Sequence, residues 1–229
     1  MEHADEKNWK EVKKLWSTGG RKIESGIYWN YLIHSDIKHV SFTLSRYKFA
    51  SKLLMYRKNL TVLELGCNEA WGALMLQQNT NLKRYLGVDL DSEAIEYNKN
   101  NLSDDFEFLE TNFFDMKLNE HFDAVISLDV IEHVDPKMED AFAEVVERHC
   151  SDDGTAIIGT PNSAMTPYAC EGSRVGHINL YDQNRLYQLF SRYFNNVFIF
   201  NMNDEVVHTG FNPMSCYIFA VCTGKKIKD

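Results

Sequence analysis

VLELGCNEAWG at residues 62–72 decides the fold, because a short apolar run ends there in a glycine-bearing loop and a helix-period segment follows. A strand that enters such a loop and then a helix sets backbone N–H groups and a helix N-terminus beside a ligand, with little side-chain bulk between. Outward from it, TVLEL at 61–65, YLGVDL at 85–90, FEFLE at 106–110, FDAVISL at 122–128 and TAIIGT at 155–160 alternate with helical segments. Strands separated by helices imply parallel pairing through crossover connections. Asp91 or Ser92, the Asp135 and Pro136 pair, and Asp182 stand where helix N-caps and first turns are expected, while SDDG at 151–154 reads as a turn. VFIFNM at 197–202 and SCYIFAVC at 215–222 leave no room for a crossover helix, so they should pair as antiparallel neighbours. The expectation is an α/β protein with a seven-stranded, mostly parallel sheet and a reversed last strand.

A chain of 229 residues with 44% hydrophobic and 25% charged residues is long enough to bury one sizeable core, and its length favours one domain. Residues 1–59 lack the strand–helix rhythm and carry Trp9, Trp16, Tyr28, Trp29, Tyr31, Phe42, Tyr47 and Phe49. They read as an N-terminal helical cap belonging to the same domain as the α/β body at 60–229. Core beneath the cap is the plainer use of those aromatics, and lining a substrate pocket is the other. A formal net charge of −9 argues against nucleic acid, whose binding relies on clustered Lys and Arg releasing counterions. The five cysteines are odd in number and include no C-x-x-C pair, so neither a disulfide framework nor a thiolate zinc site is expected. The charged N-terminus, and the lack of an uncharged stretch of about 18 residues, point to a cytoplasmic protein outside the membrane.

The second strand ends in Asp89, whose carboxylate can accept hydrogen bonds from two ribose hydroxyls. With that acidic residue in place, the chain resembles the class I S-adenosylmethionine-dependent methyltransferases, whose first motif has the form acidic-x-G-x-G-x-G. Glu64 and Gly66 match that motif, Gly72 matches the glycine that begins the following helix, and Asn68 stands at the second glycine. Asn tolerates a left-handed backbone better than most residues, so the turn survives the replacement. The resemblance runs over about residues 45–200. SRYKFA at 45–50 resembles the segment before the first strand, which implies that Arg46 or Tyr47 approaches the methionine carboxylate. TNFFD at 111–115 occupies the loop where the family contacts adenine, which implies Asn112 on the amino group, Phe113 on one face and Leu90 on the other. SLDVIEHV at 127–134 resembles the fourth motif and adds Leu128 to the cofactor side, and GTPN at 159–162 resembles the end of the fifth strand. The resemblance therefore implies a Rossmann-like fold and S-adenosyl-L-methionine as cofactor.

Glu132 and His133 lie beyond the fourth strand and His177 lies in GSRVGHINLY beyond the fifth, so strand-end geometry should bring all three to the active face. A methyl-accepting hydroxyl must lose a proton, and a histidine can take one near neutral pH. Holding the two loops together is the competing role for these histidines. Asp129, Glu132, His133 and His177 also resemble the Glu-x-x-Glu-His and later His that bind a divalent metal in small-RNA 2′-O-methyltransferases. Asp129 replaces the first Glu there and the chain is acidic, so no metal site is assigned. NMNDEVVHTGFNP at 201–213 brings Asn203, Asp204, Glu205 and His208 to the same face, as an acceptor-reading loop or a solvated hairpin tip.

The expected function is O-methylation of a polar small molecule, such as a sugar or activated metabolite of surface-glycan biosynthesis. Its glycan part rests on the resemblance of RYKFA, GHINLY and the C-terminal hairpin to bacterial enzymes of that sort. The alternatives are metal-assisted 2′-O-methylation of a ribose hydroxyl and a cofactor-binding regulatory subunit. A nicotinamide-dependent dehydrogenase is disfavoured because the loop lacks the later glycines of G-x-G-x-x-G.

Overall fold

The computed structural model describes residues 4–16 and 24–226. Three helices come first, α1 (Ala4–Leu15), α2 (Ile27–Ser35) and α3 (Ile37–Leu54). The body then alternates β1 (Leu60–Leu65), α4 (Trp71–Asn79), β2 (Leu82–Asp89), α5 (Ser92–Asn101), β3 (Phe106–Glu110), β4 (Phe122–Leu128), α6 (Glu139–His149) and β5 (Cys150–Pro161). After α7 (Glu171–Gly176) and α8 (Gln183–Phe190), the chain closes with β6 (Phe194–Asn203), β7 (Val206–His208) and β8 (Tyr217–Lys225). The strand order is β3-β2-β1-β4-β5-β8-β6-β7. β1 to β5 run parallel, and β8 enters antiparallel between β5 and β6. This is the Rossmann-like sheet with a reversed strand that the sequence implies.

Two local features differ from expectation. The described sheet has eight strands, because the 201–213 loop folds back on β6 with Asn203 opposite Val206 and Asp204 left-handed at φ 49°. Three residues in a polar loop are too few for an alternating pattern to be read. SDDG lies within β5 and not in a turn: Cys150 pairs with Phe122, and the register then shifts so that Thr155 faces Ala124. The bulge takes up the extra residues, so turn-forming residue types sit in a strand.

Each face of the sheet is buried, as expected for parallel strands. Leu63 and Leu65 on β1 join Val125, Phe142 and Phe190 on one side. Val62 joins Ile126, Leu76 and Phe219 on the other, where α3 adds Tyr47, Ala50 and Leu54. The aromatics of the cap divide between the two readings, with Trp29 and Tyr47 buried and Trp9, Trp16 and Tyr31 exposed. Asp91 caps α5 through the N–H groups of Glu93 and Ala94, and Asp182 caps α8 through that of Arg185. Asp135 and Pro136 start a 3₁₀ turn that leads into α6. Among the described residues no helix is long and apolar enough to cross a membrane.

Candidate active site

The loop from β1 to α4 is built on three left-handed residues in alternation, Gly66 (φ 74°), Asn68 (φ 44°) and Ala70 (φ 41°). They occupy the three glycine positions of the family motif counted from Glu64, although only the first is glycine. The motif's backbone survives where its residue types do not. At Gly66 a Cβ would lie 2.3 Å from the Val130 side chain, so that position combines a left-handed φ with a close approach. Asp89 stands across the loop from β2 and ties it down, accepting from the Asn68 N–H at 2.7 Å and the Asp91 N–H at 3.0 Å. A carboxylate offers about four lone-pair sites, so acceptor capacity remains for ribose hydroxyls. Beside it, Leu90 is 70% exposed, and Asn112 is exposed with its Oδ1 accepting from the Phe114 N–H at 3.0 Å. Leu128, at the end of β4, is buried.

Glu64 and Phe113, both expected at the cofactor, are buried. Glu64 lies buried beneath the loop, where the Tyr47 hydroxyl donates to Oε1 at 2.6 Å and the Tyr85 hydroxyl donates to Oε2. Burial raises its pKa to about 7, against the pull of the two phenols toward the charged form. Phe113 is only 8% exposed and packs edge-on against Phe142 in the core. The neighbouring sequence could not reveal this, since both outcomes depend on residues from distant elements. Gly72 has a related use, because a Cβ there would meet the Tyr47 ring at 2.1 Å and displace the phenol from Glu64.

Arg46 is buried on α3, donating from Nη1 to Asp129 with its guanidinium 4.0 Å over the Tyr217 ring. Asp129, left-handed at φ 58°, follows β4 and leads into the 3₁₀ turn Ile131–His133. There the Glu132 carbonyl accepts the N–H groups of Ile178 and Asn179 at 2.9 and 3.0 Å. His133 Nδ1 donates to the Gly176 carbonyl at 2.9 Å, which leaves the lone pair on Nε2. The His133 and His177 ring centroids are 5.0 Å apart. The fourth and fifth strand ends are thus stitched together at the residues singled out as catalytic. The Glu132 carboxyl is fully buried, with Oε2 accepting from Thr160 at 3.0 Å and Oε1 without a partner. Burial, reinforced by Asp129, raises its pKa to about 8, while burial lowers that of His177.

The hairpin groups are engaged with one another. His208 accepts the Gly210 N–H on Nδ1 at 2.9 Å, so Nε2 carries the proton and donates to Asn203 at 3.1 Å. Glu205 accepts from Ser41 of α3 at 2.7 Å.

Residues 63–158 match the family model described as a methyltransferase domain. These residues are a methyltransferase domain, and they make up under half of the chain. The fold is that of S-adenosylmethionine-dependent methyltransferases, and neighbours with this fold are solved with S-adenosyl-L-homocysteine. The methyltransferase domain of a bacterial Hen1 (CtHen1-C) superposes with a TM-score of 0.66 at 19% identity, covering 80% of this chain and 99% of that one. The N-methyltransferase NodS from Bradyrhizobium japonicum WM9, solved with S-adenosyl-L-homocysteine, gives 0.61 at 15% identity, covering 84% and 90%. At these identities the likeness is one of fold. A cyclopropane-fatty-acyl-phospholipid synthase of Escherichia coli strain K12 is 27% identical over 124 residues, which are 53% of this chain and 31% of that protein. The chain thus spans under a third of the length of the curated relatives it matches.

Beyond the ends of β4 and β5, Glu132, His133 and His177 are brought together, each offering a ligand atom within 4.8 Å of the others. Asp129 is held apart from them by its pairing with Arg46. Two residues of consequence escaped the sequence reading, Ala70 and Glu69. Counting the motif's alternation from Glu64 lands on Ala70. Glu69 gave no signal, because its partners lie some forty residues upstream.

Proposed function

We propose that the protein transfers the methyl group of S-adenosylmethionine to a hydroxyl of a polar small molecule, a sugar or activated metabolite of surface-glycan biosynthesis. His133 and His177 handle the hydroxyl proton, and Asp89, Gly66, Asn68, Leu90, Asn112 and Leu128 form the cofactor side. The supporting observation is the 5.0 Å approach of the two imidazoles beyond adjacent parallel strands, on the face where ligands of such sheets bind. His133 Nε2 carries a free lone pair, and burial keeps His177 neutral near pH 7, so either ring can accept a proton. Inline displacement at a sulfonium methyl requires otherwise only alignment of the two substrates. The test is methyl transfer to a panel of sugar nucleotides and free sugars. His133→Ala and His177→Ala should each lower turnover by about a hundredfold while S-adenosylhomocysteine binds as in the wild type. Full turnover in both variants overturns the assignment.

A second reading has its own observation. Glu132 Oε1 is buried without a partner beside two imidazoles, and His133 donates its other ring N–H to a carbonyl, as metal-bound histidines do. One carboxylate and two imidazoles suit a divalent cation, which when bound would lower the pKa of an acceptor hydroxyl. Against it stand the capture of Asp129 by Arg46 and the net charge of −9, which disfavours an RNA substrate. Calorimetric titration with manganese separates the readings. Binding that disappears in Glu132→Gln, with activity lost on chelation and restored by the metal, supports the second, and no binding supports the first.

A further inference from the structure

The segment from Glu24 to Trp29 lies against the cofactor loop and is fastened there by one buried carboxylate. Glu69 accepts the Tyr28 N–H on Oε1 at 2.7 Å and the Trp29 N–H on Oε2 at 3.1 Å, which are first-turn donors of α2. Gly26, the residue before that helix, makes no side-chain cap, and a Cβ on it would fall 2.4 Å from the Glu69 carboxylate. Glu69 is therefore the N-cap of α2, supplied from a loop more than forty positions away, and its charge suits the helix dipole. Two further contacts fix the same segment. Trp29 stacks on Trp71, the first residue of α4, with ring centroids 4.2 Å apart and planes 11° from parallel. The Tyr97 hydroxyl of α5 donates to the Glu24 carbonyl and also receives the Trp71 indole N–H at 3.4 Å.

Little else anchors α2. Within it only Trp29 and Leu32 are buried, while Ile27 and Tyr31 stay largely exposed and Tyr28 and Ile33 are partly so. A helix held by two apolar side chains and one charged cap belongs to the low-stability end of a fold, where opening occurs without global unfolding. The other end of the contact is the loop on which the cofactor must lie. Burial, with Asp129 adding to it and Arg46 opposing, raises the pKa of Tyr28 to about 12.

We infer that α2 is a gate over the cofactor site and that Glu69 is its latch, so that S-adenosylmethionine enters and S-adenosylhomocysteine leaves when Glu69 releases the first turn of α2. Glu69 is a positioning residue here: it acts through the helix and does not touch the methyl group. The inference rests on the cofactor assignment, and the test keeps the two apart.

The experiment compares wild type, Glu69→Ala and Gly26→Ala, which break the latch from opposite sides, the second by crowding the Glu69 carboxylate while leaving every loop residue in place. Hydrogen exchange reads the amides of residues 27–35, and stopped-flow tryptophan fluorescence gives association and dissociation rates for S-adenosylhomocysteine. Exchange over α2 should rise by about tenfold or more in both variants, in line with loss of hydrogen bonds to a charged group. Association and dissociation should accelerate together, leaving the dissociation constant within about threefold of wild type. Opening of α2 with both rates unchanged would overturn the gate. A rise in dissociation rate alone, with weaker binding, would overturn it as well, since Glu69 would then merely shape the loop. Unchanged exchange over α2 in both variants would overturn the latch. No binding by the wild type would instead refute the cofactor assignment.

Discussion

At the scale of single residues, the cofactor loop holds its shape through φ angles that its residue types do not favour. Ala70 sits left-handed, which costs an L-residue with a Cβ about 1 kcal/mol relative to glycine. Ala70→Gly should therefore raise stability by about 1 kcal/mol in urea denaturation with cofactor affinity kept, provided the gain is not offset by the freer unfolded chain. A loss of stability would show that the Ala70 side chain, which is buried, contributes more by packing than its backbone costs. Gly66→Val should abolish cofactor binding, because it meets a left-handed φ and the Val130 side chain together. Normal binding by that variant in calorimetry would remove the loop from the site. Asp89→Ala should weaken S-adenosylhomocysteine by at least about tenfold, since it frees the Asn68 N–H as well as removing ribose acceptors. Asp89 was legible because a strand end and a carboxylate coincide there. The burial of Glu64 was not, since it depends on phenols 17 and 21 residues away in the chain.

At the scale of elements, most strands could be read from apolar runs, because a sheet covered on both faces leaves uninterrupted stretches. FEFLE and FDAVISL match β3 and β4 residue for residue. The misreadings lie where local chemistry and tertiary pairing disagree. SDDG has the composition of a turn, yet β4 recruits it into a bulged strand. The Asp, Gly and Asn residues of the 201–213 loop hid the short β7 in the same way. Asn203 and His208 are satisfied by each other, so His208→Ala should leave cofactor affinity and turnover within about twofold of wild type while lowering stability. A large fall in turnover would return the hairpin to the acceptor site.

At the scale of the whole molecule, two buried carboxyls and the buried or half-buried imidazoles of His39, His149 and His177 set the response to pH. Glu64 is raised from 4.5 to about 7 and Glu132 from 4.5 to about 8, mainly by burial. Between those limits the native state binds protons that the unfolded chain has released, so stability falls as pH rises. The lowered pKa values of His39, His149 and His177 oppose this trend below about pH 6.5, so the melting temperature should decline from about pH 6.5 to pH 8, and Glu64→Gln should flatten part of that slope. A melting temperature that climbs over this interval would contradict both assignments. We also expect the boundary near residue 60 to mark no separable unit. Tyr47 satisfies Glu64, Arg46 satisfies Asp129, and Glu69 caps α2 across it. A fragment beginning at residue 60 should be unfolded by near-ultraviolet circular dichroism, since it leaves buried carboxylates unpaired. The sheet has a further consequence, for behaviour in concentrated solution. At one edge β7 covers only Asn201–Asn203 of β6, so among the described residues Phe194–Phe200 have no strand beyond them, and the other edge is β3, a five-residue strand with charged Glu107 and Glu110 exposed. The β3 edge, short and charged, gives a neighbouring copy little to extend, whereas the open stretch of β6, where Phe198 is exposed, is the place at which a second copy could add a strand to a growing aggregate.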